Sequence, residues 1–187
     1  FLDKPIPLSD QQFHYLKRVM RLEENDKFFI FNKEEEWLAK FSFKKKPSAF
    51  PIEFLRISDA CPDIWLCFSL IKSKNLSYLI EKVSEIGVRR IVPIITSFSE
   101  NFKLNYERLN KIIFEAVEQN DSLNIPELTK QVKLSDLMKN WDSERLILFC
   151  DEKRKGQRIL DLPLKKKKIA IFIGPVGGWS SEDKNLF

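Results

Sequence analysis

The sequence predicts an α/β domain built on a parallel sheet, preceded by a small β-rich domain with one helix. From Ile64 onward, near-continuous apolar runs alternate with amphipathic helical stretches, the pattern of strands covered on both faces. Ahead of that region, short aromatic-rich segments with partial polar–apolar alternation are separated by turn signals. Between the two, "DACPD" (Asp59–Asp63) has the polar and proline content of a linker. The expected domains are therefore 1–62 and 63–187.

In the first domain, "SDQQFHYLKRVMRL" reads as a helix. Ser9 or Asp10 caps it, and Phe13, Leu16, Val19 and Met20 fall on one face. Strands are expected at Lys27–Asn32, Glu36–Phe43 and Pro51–Ser58, with "KKKPSAFP" as the turn between the last two. Three strands and a helix make a small barrel or sandwich.

In the second domain, Ile64–Ile71 reads as a buried strand. Leu76, Leu79, Ile80, Val83 and Ile86 then mark a helix that Gly87 stops. Arg90–Thr96 is the next strand. A helix over Tyr106–Gln119 turns Leu109, Ile112, Ile113, Ala116 and Val117 inward. A shorter one, capped by Ser135, covers Asp136–Trp141. Strands Arg145–Cys150 and Lys168–Ile173 follow, and a last helix starts at Ser180 with Asp183 completing a capping box.

Composition bounds the function. The chain has 187 residues, 43% of them hydrophobic, which argues for a packed core. No apolar run reaches the roughly 18–20 residues of a membrane span. No signal peptide is visible, and because the chain opens on Phe1 rather than Met, a preceding segment is expected to be missing. Three cysteines without a CxxC spacing and a single histidine, His14, argue against a zinc site; scattered thiols suit a reduced, cytosolic protein. Residues 1–63 hold 11 basic and 11 acidic side chains, so the whole net charge of +5 lies in residues 64–187. A polyanion such as RNA would match that excess, and so would an ordinary solvated surface.

Three of the five glycines fall in "IFIGPVGGWSSED", Ile171–Asp183, directly after a buried strand and ahead of a helix. Ligands of parallel α/β sheets sit at this edge. The pattern GPxGGW is neither GxGxxG nor GxxxxGK[ST], and Pro175 removes an amide donor that a phosphate cradle would use. Ile173 and Trp179 flank the loop with apolar surface, which suits an adenine-like or thioether ligand better than a triphosphate. A tight strand-to-helix turn without a ligand is the alternative. Asp151 and Glu152 follow another buried strand, where a ribose-binding carboxylate could sit.

Several stretches together resemble one family. "IGPVGGWSSED" is similar to the IGPEGGFSxxE segment of the RsmE-type 16S ribosomal RNA uridine N3-methyltransferases, of the SPOUT class. In the same order, "HYLKRVMRLEENDKFFIFN", "KNLSYLIEKVSEIGVRRIVPIITSFSE" and "RLNKIIFEAVEQNDSLNIPEL" resemble other segments of that family, the second at Lys74, Lys82, Glu85, Gly87, Val88, Ile91 and Pro93.

The resemblance implies a PUA-like β-barrel that helps bind RNA. It implies a SPOUT-type, trefoil-knotted parallel sheet with helices on both faces, and a homodimer that methylates a uridine N3 of 16S rRNA in the small subunit. S-adenosyl-L-methionine is the implied cofactor. Ile173, Gly174, Pro175, Gly177, Gly178 and Trp179 become its expected contacts, with Asp151 and Glu152. Arg18, Arg21, Lys74, Lys82, Glu118 and Gln119 become candidate RNA-facing residues; no metal is expected, and no side chain is singled out as the catalytic base.

The chain departs from the family pattern in four places. Val176 stands for the Glu of GPEGG, Ser122 and Asn124 occupy positions that usually carry arginine, and Asn25 replaces a turn glycine. The family also continues for several tens of residues past the glycine loop, so a knot-closing segment is expected beyond Phe187. A non-catalytic RNA-binding protein of the same fold, or a methyltransferase acting on tRNA, are the rival readings.

Overall fold

A computed structural model describes residues 4–58, 61–71, 73–100, 102–151, 156–162 and 168–187, without the side chains of Ser73, Lys74 and Leu160. Glu152 lies outside the described residues, as does the side chain of Lys74. The chain separates into two compact units, Phe1–Asp59 and Ala60–Phe187.

The first unit holds four strands: β1 (Ile6–Pro7), β2 (Lys27–Phe31), β3 (Glu35–Ser42) and β4 (Ser48–Ile57). They form one antiparallel sheet in the order β1-β4-β3-β2. The turn expected over residues 44–51 is shorter than the sequence suggested, because Ser48–Phe50 already pair with β3. Pro51 cannot donate to a ladder, and the β3–β4 register shifts beside it, between Leu38 and Ala39. Helix α1 (Asp10–His14) starts at Ser9, whose side chain accepts from Gln12 N–H while Gln12 returns the bond. It continues as one wider turn over Tyr15–Val19. Phe13, Phe28, Phe41 and Phe43 pack ring on ring at 5.1–6.2 Å inside the unit.

The second unit is a parallel sheet. Its strands are β5 (Asp63–Ser69), β6 (Arg90–Ile95), β7 (Glu127–Leu128), β8 (Val132–Lys133), β9 (Leu146–Cys150) and β10 (Lys168–Ile173). The order is β7-β6-β5-β10-β9, with β8 also on β6, and every pairing is parallel. The last strand is thus inserted between β5 and β9. Cys67, Val92, Ile94, Ala170 and Phe172 are buried together on one face with Leu134 and Trp179. Their neighbours Leu66, Phe68, Ile91 and Pro93 are buried as well, so both faces are covered.

Helices α2 (Ser73–Ile86) and α3 (Tyr106–Gln119) pack on each other and bury Leu76, Ile80, Leu109, Ile113 and Val117. Gly87 ends α2 at φ 88°, a left-handed position. Helix α4 (Leu134–Lys139) differs from expectation: it follows β8 directly, its N-cap is Lys133, and no side chain caps it. Ser135 therefore lies inside the first turn. Leu134, Leu137 and Met138 set α4 against the buried cluster. The closing helix α5 (Ser181–Lys184) is capped by Ser180, with Asp183 completing the box.

At the amino edge of the sheet, Arg145 is clamped. Its guanidinium donates to Asp63 Oδ2 at 2.9 Å and to the carbonyls of Asp63 and Ile169 at 3.0 and 3.3 Å, and it lies 3.9 Å over the Trp65 ring. One buried side chain thus ties the starts of β5, β9 and β10.

Candidate cofactor and RNA site at the carboxyl edge

All strands of the second unit end on the same edge, and the strand order reverses between β5, whose next strand β6 lies on one side, and β10, whose preceding strand β9 lies on the other. The crevice beside such a reversal is where α/β sheets take ligands. Four loops meet that edge: Leu70–Ile71 after β5, residues from Thr96 after β6, Asp151 after β9, and Gly174–Ser180 after β10.

The glycine loop is shaped by two requirements. A Cβ at Gly174 would lie 2.6 Å from Cε2 and Nε1 of Trp179, so the indole occupies the space of a side chain there. Gly178 closes a turn through its N–H to the Pro175 carbonyl (2.9 Å) and holds φ 76°, a left-handed conformation. Gly177 is different. A Cβ there would meet only Phe98, at an ordinary 3.5 Å. Val176 stands at the tip, fully exposed.

Trp179 is buried, donates to the Cys150 carbonyl at 3.1 Å, and packs against Phe149 and Phe187 at 4.9 and 5.6 Å. Its pyrrole N–H and ring are thus taken up by the core, and with the buried Pro175 it supports the loop from beneath. Ile173 and Phe98 are 42% and 57% exposed and form the apolar surface above.

Asp183 staples two of the loops. It is 5% exposed, accepts from Ser97 N–H at 3.2 Å and from Ser180 N–H at 3.4 Å, and Ser180 Oγ donates to Ser97 Oγ at 3.0 Å. The loop after β6 is folded on itself by Ser99, whose hydroxyl accepts from Thr96 N–H and donates to the Thr96 carbonyl. Ser69 and Thr96 share a buried hydroxyl–hydroxyl bond of 3.2 Å between the ends of β5 and β6. Asp151 meets Lys184 Nζ at 3.4 Å.

Of the residues expected to bind a cofactor, the structure brings Ile173, Gly174, Pro175, Gly177, Gly178, Trp179 and Asp151 to this one edge. Phe98, Ser97 and Asp183 join them, none of the three expected at the site from the sequence. Asp183 was legible as a capping residue; its reach to Ser97 is a contact across 86 positions that no local pattern carries.

The candidate RNA residues divide. Lys74 lies in the first turn of α2, at the carboxyl edge. Lys82 lies about 12 Å further along α2, and Glu118 and Gln119 lie at the far end of α3, about 20 Å from its start. Lys82 is held between Glu81 and Glu85 at 2.9 and 2.8 Å, and those bonds raise its pKa. Burial, helped by Glu115, raises the Glu118 carboxyl above the usual carboxylate value. Arg18 and Arg21 are exposed in the first unit, Arg21 at φ 57°. Among the described residues, no group of three His, Cys, Asp or Glu could hold a metal, and no helix is long and apolar enough to cross a membrane.

Residues 59–187 match the model of an RNA methyltransferase domain, and residues 8–50 that of an RNA methyltransferase PUA domain. The ribosomal RNA small subunit methyltransferase E of Rickettsia conorii is 30% identical over 184 residues, which is 95% of this chain and 75% of the relative. That of Aquifex aeolicus is 28% identical, covering 90% and 76%. Among solved structures, a putative methyltransferase of Legionella pneumophila in complex with SAM superposes with a TM-score of 0.84 at 24% identity, over 99% of this chain and 80% of that one. The ribosomal RNA small subunit methyltransferase E of Neisseria gonorrhoeae bound to S-adenosyl methionine gives 0.85 at 20% identity, over 98% and 79%.

Proposed function

The chain belongs to the RNA methyltransferase family that includes the ribosomal RNA small subunit methyltransferases E, and from that membership we propose that it methylates N3 of a uridine in 16S rRNA with S-adenosyl-L-methionine as methyl donor. The observation that carries this reading is the family match over residues 59–187, which spans the whole parallel sheet and all four loops of its carboxyl edge.

The residues present fit a sulfonium nucleoside. Gly177 leaves the main chain bare, with only Phe98 close above it among the described residues, while Ile173 and Phe98 offer apolar surface for an adenine or thioether. Asp151 stands where a ribose hydroxyl can donate to it. Gly174, Pro175, Gly178 and Trp179 fix the loop from below, and Glu152, outside the described residues, is assigned with Asp151 to the cofactor. When bound, the donor supplies an electrophilic methyl group on a positively charged sulfur. The protein's own part is mostly positioning, because transfer needs donor carbon and acceptor nitrogen in line. Asp183, engaged by backbone N–H groups, is a structural acceptor and not a free base.

Uridine N3 lies on the pairing edge, so the target base must be presented outside a helical stack. Arg18, Arg21 and Lys74 are the cations assigned to the RNA backbone; Lys82, Glu118 and Gln119 form a separate polar surface. On this reading, residues 1–62 form a PUA-like barrel, and residues 63–187 a knotted SPOUT domain that works as a homodimer. The match at 8–50 supports the PUA-like assignment, and the insertion of β10 between β5 and β9 is consistent with a knotted sheet.

Calorimetry with S-adenosyl-L-methionine, followed by mapping of 16S rRNA methylation in a deletion strain before and after the protein is added back, tests the proposal. Heat of binding and one restored N3-methyluridine are expected. No heat points instead to a non-catalytic RNA-binding protein, and a mark found only on tRNA overturns the substrate.

A further inference from the structure

The loop after β6 carries an aromatic side chain that is held at its root and left open to water. Phe98 is 57% exposed, yet the backbone on either side of it is pinned. Ser99 folds the loop onto Thr96 through two hydrogen bonds, and Ser97 N–H donates to Asp183. The inner side of Phe98 borders the glycine loop: a Cβ built on Gly177 would meet Phe98 Cβ, Cγ and Cδ2 at 3.5, 3.9 and 4.0 Å. Those atoms are the root and one edge of the ring, so its other edge is the exposed part. Among the described residues no other ring packs on Phe98, whereas Phe149, Phe172, Trp179 and Phe187 pack together.

An apolar ring standing in water on a pinned loop is organised in advance to take a flat partner, because little freedom is left to lose on binding. The strand order β6-β5-β10-β9 decides which partner. The loops after β6 and β9 leave the sheet three strand spacings apart, about 14 Å, with the glycine loop between them. With a ribose on Asp151 at the β9 side and a sulfonium against the bare main chain of Gly177, Phe98 borders the opposite side, the one left for the acceptor. Uridine must leave its stack before N3 is accessible, and an aromatic face replaces the stacking it gives up.

We propose that Phe98 is an acceptor-binding residue: the uracil ring of the target uridine stacks on its open side, which turns N3 toward the methyl donor. This role deepens the RNA methyltransferase reading and rests on it. Stacking does not distinguish one flat base from another, so Phe98 supplies orientation, and the choice of uridine falls to hydrogen-bonding groups.

The test uses the full chain and two fluorescently labelled single-stranded RNAs of about ten nucleotides, a length within the usual footprint of aromatic platforms. One carries a single uridine. The other carries 5,6-dihydrouridine in its place, which keeps N3–H but has a puckered ring that stacks poorly. With S-adenosylhomocysteine present, the unaltered protein should bind the uridine strand roughly tenfold more tightly, the usual effect of one stacked base. Phe98→Ala and Phe98→Leu should bind both strands at the weaker level, and Phe98→Trp should keep the preference. By calorimetry Phe98→Ala should change affinity for S-adenosyl-L-methionine less than about threefold. In the transfer assay it should raise KM for 16S rRNA more than it lowers kcat. Circular dichroism melts confirm that each variant is folded. Methyl transfer by the unaltered protein separates this role from the reading beneath it. If 16S rRNA is methylated while the two strands bind equally, or while the preference survives Phe98→Ala, this role alone is overturned. A large loss of donor affinity with the preference intact also overturns it and puts the ring in the donor pocket. A protein that neither transfers a methyl group nor distinguishes the two strands overturns both.

Discussion

The Trp179 indole occupies the place of a Gly174 side chain: a Cβ built on Gly174 falls 2.6 Å from two ring atoms. The ring has nowhere to go, since its N–H is bonded to the Cys150 carbonyl and its faces meet Phe149 and Phe187. Gly174→Ala is therefore expected to destabilise the second unit by about 1–3 kcal/mol, the usual cost of overpacking. It should also weaken cofactor binding, because the loop must shift to relieve the clash. Thermal melts and calorimetry check this together; an unchanged melting temperature would mean the indole moves freely and the tight fit is incidental.

Asp183 ties the glycine loop to the loop after β6. Asp183→Ala removes the acceptor for Ser97 N–H and Ser180 N–H and leaves both near a buried position. A loss of about 1–3 kcal/mol is expected, with faster amide exchange at Ser97 than in the unaltered protein. Asp183→Asn keeps one acceptor oxygen and should retain most of the stability. Equal losses for the two variants would show that the charged carboxylate with both its oxygens, and not a single acceptor oxygen, carries the contribution.

Much of this was legible beforehand, and the reason differs from element to element. Helix α3 runs over Tyr106–Gln119 as its apolar spacing indicates, β10 keeps Lys168–Ile173, and the Ser180–Asp183 capping box forms. Each is a local pattern of side-chain periodicity or of three-residue spacing. The place of β10 between β5 and β9 is set by long-range pairing, which periodicity does not encode. The two-residue strands β1, β7 and β8 are too short to show a period. The glycine loop was found for the right reason in part only. Its composition marks close approach to backbone, but at Gly174 the approaching group is the protein's own Trp179. The approach of Phe98 to Gly177 joins two loops far apart in sequence, so no local pattern shows it.

The Asp63–Arg145 clamp predicts an acid-sensitive step. Its hydrogen bond from Arg145 holds the Asp63 carboxyl below the ordinary value of 3.8. A group depressed in the folded state adds stability that is fully present above its unfolded value and is lost as pH falls through the folded one. The contribution should thus be constant at neutral pH and disappear below about pH 4. Asp63→Asn is expected to flatten the fall of stability in that window, measured by urea unfolding at successive pH values. Arg145→Ala should cost more, about 3–5 kcal/mol, since it strands the Asp63 carboxylate and two strand-end carbonyls.

Thiol chemistry offers a probe of opening. Cys67 is wholly buried on β5, and burial pushes its pKa up to about 12. It should resist an aromatic disulfide reagent in the native protein at pH 8 and react only when the sheet opens. Cys150 is exposed and Cys61 partly so, with pKa values raised chiefly by burial, and both should react slowly but without unfolding. Rapid native labelling of Cys67 would show that the sheet core breathes far more than its packing implies.

Val176 stands at the Glu position of the resembled IGPEGGFSxxE segment, and its side chain is fully exposed at the tip of the turn. Exposed substitutions away from caps and cores usually change stability by no more than about 0.5 kcal/mol. Val176→Glu should therefore leave the melting temperature within about a degree or two. Because Pro175, Gly178 and Trp179 hold the turn without help from residue 176, affinity for S-adenosyl-L-methionine should change less than threefold. The added carboxylate would face solvent beside Ile173 and Phe98, so any effect should appear in the transfer rate with rRNA present rather than in cofactor binding. A large gain in cofactor affinity would show that the acid reaches the donor directly and that Val176 costs this chain a binding contact.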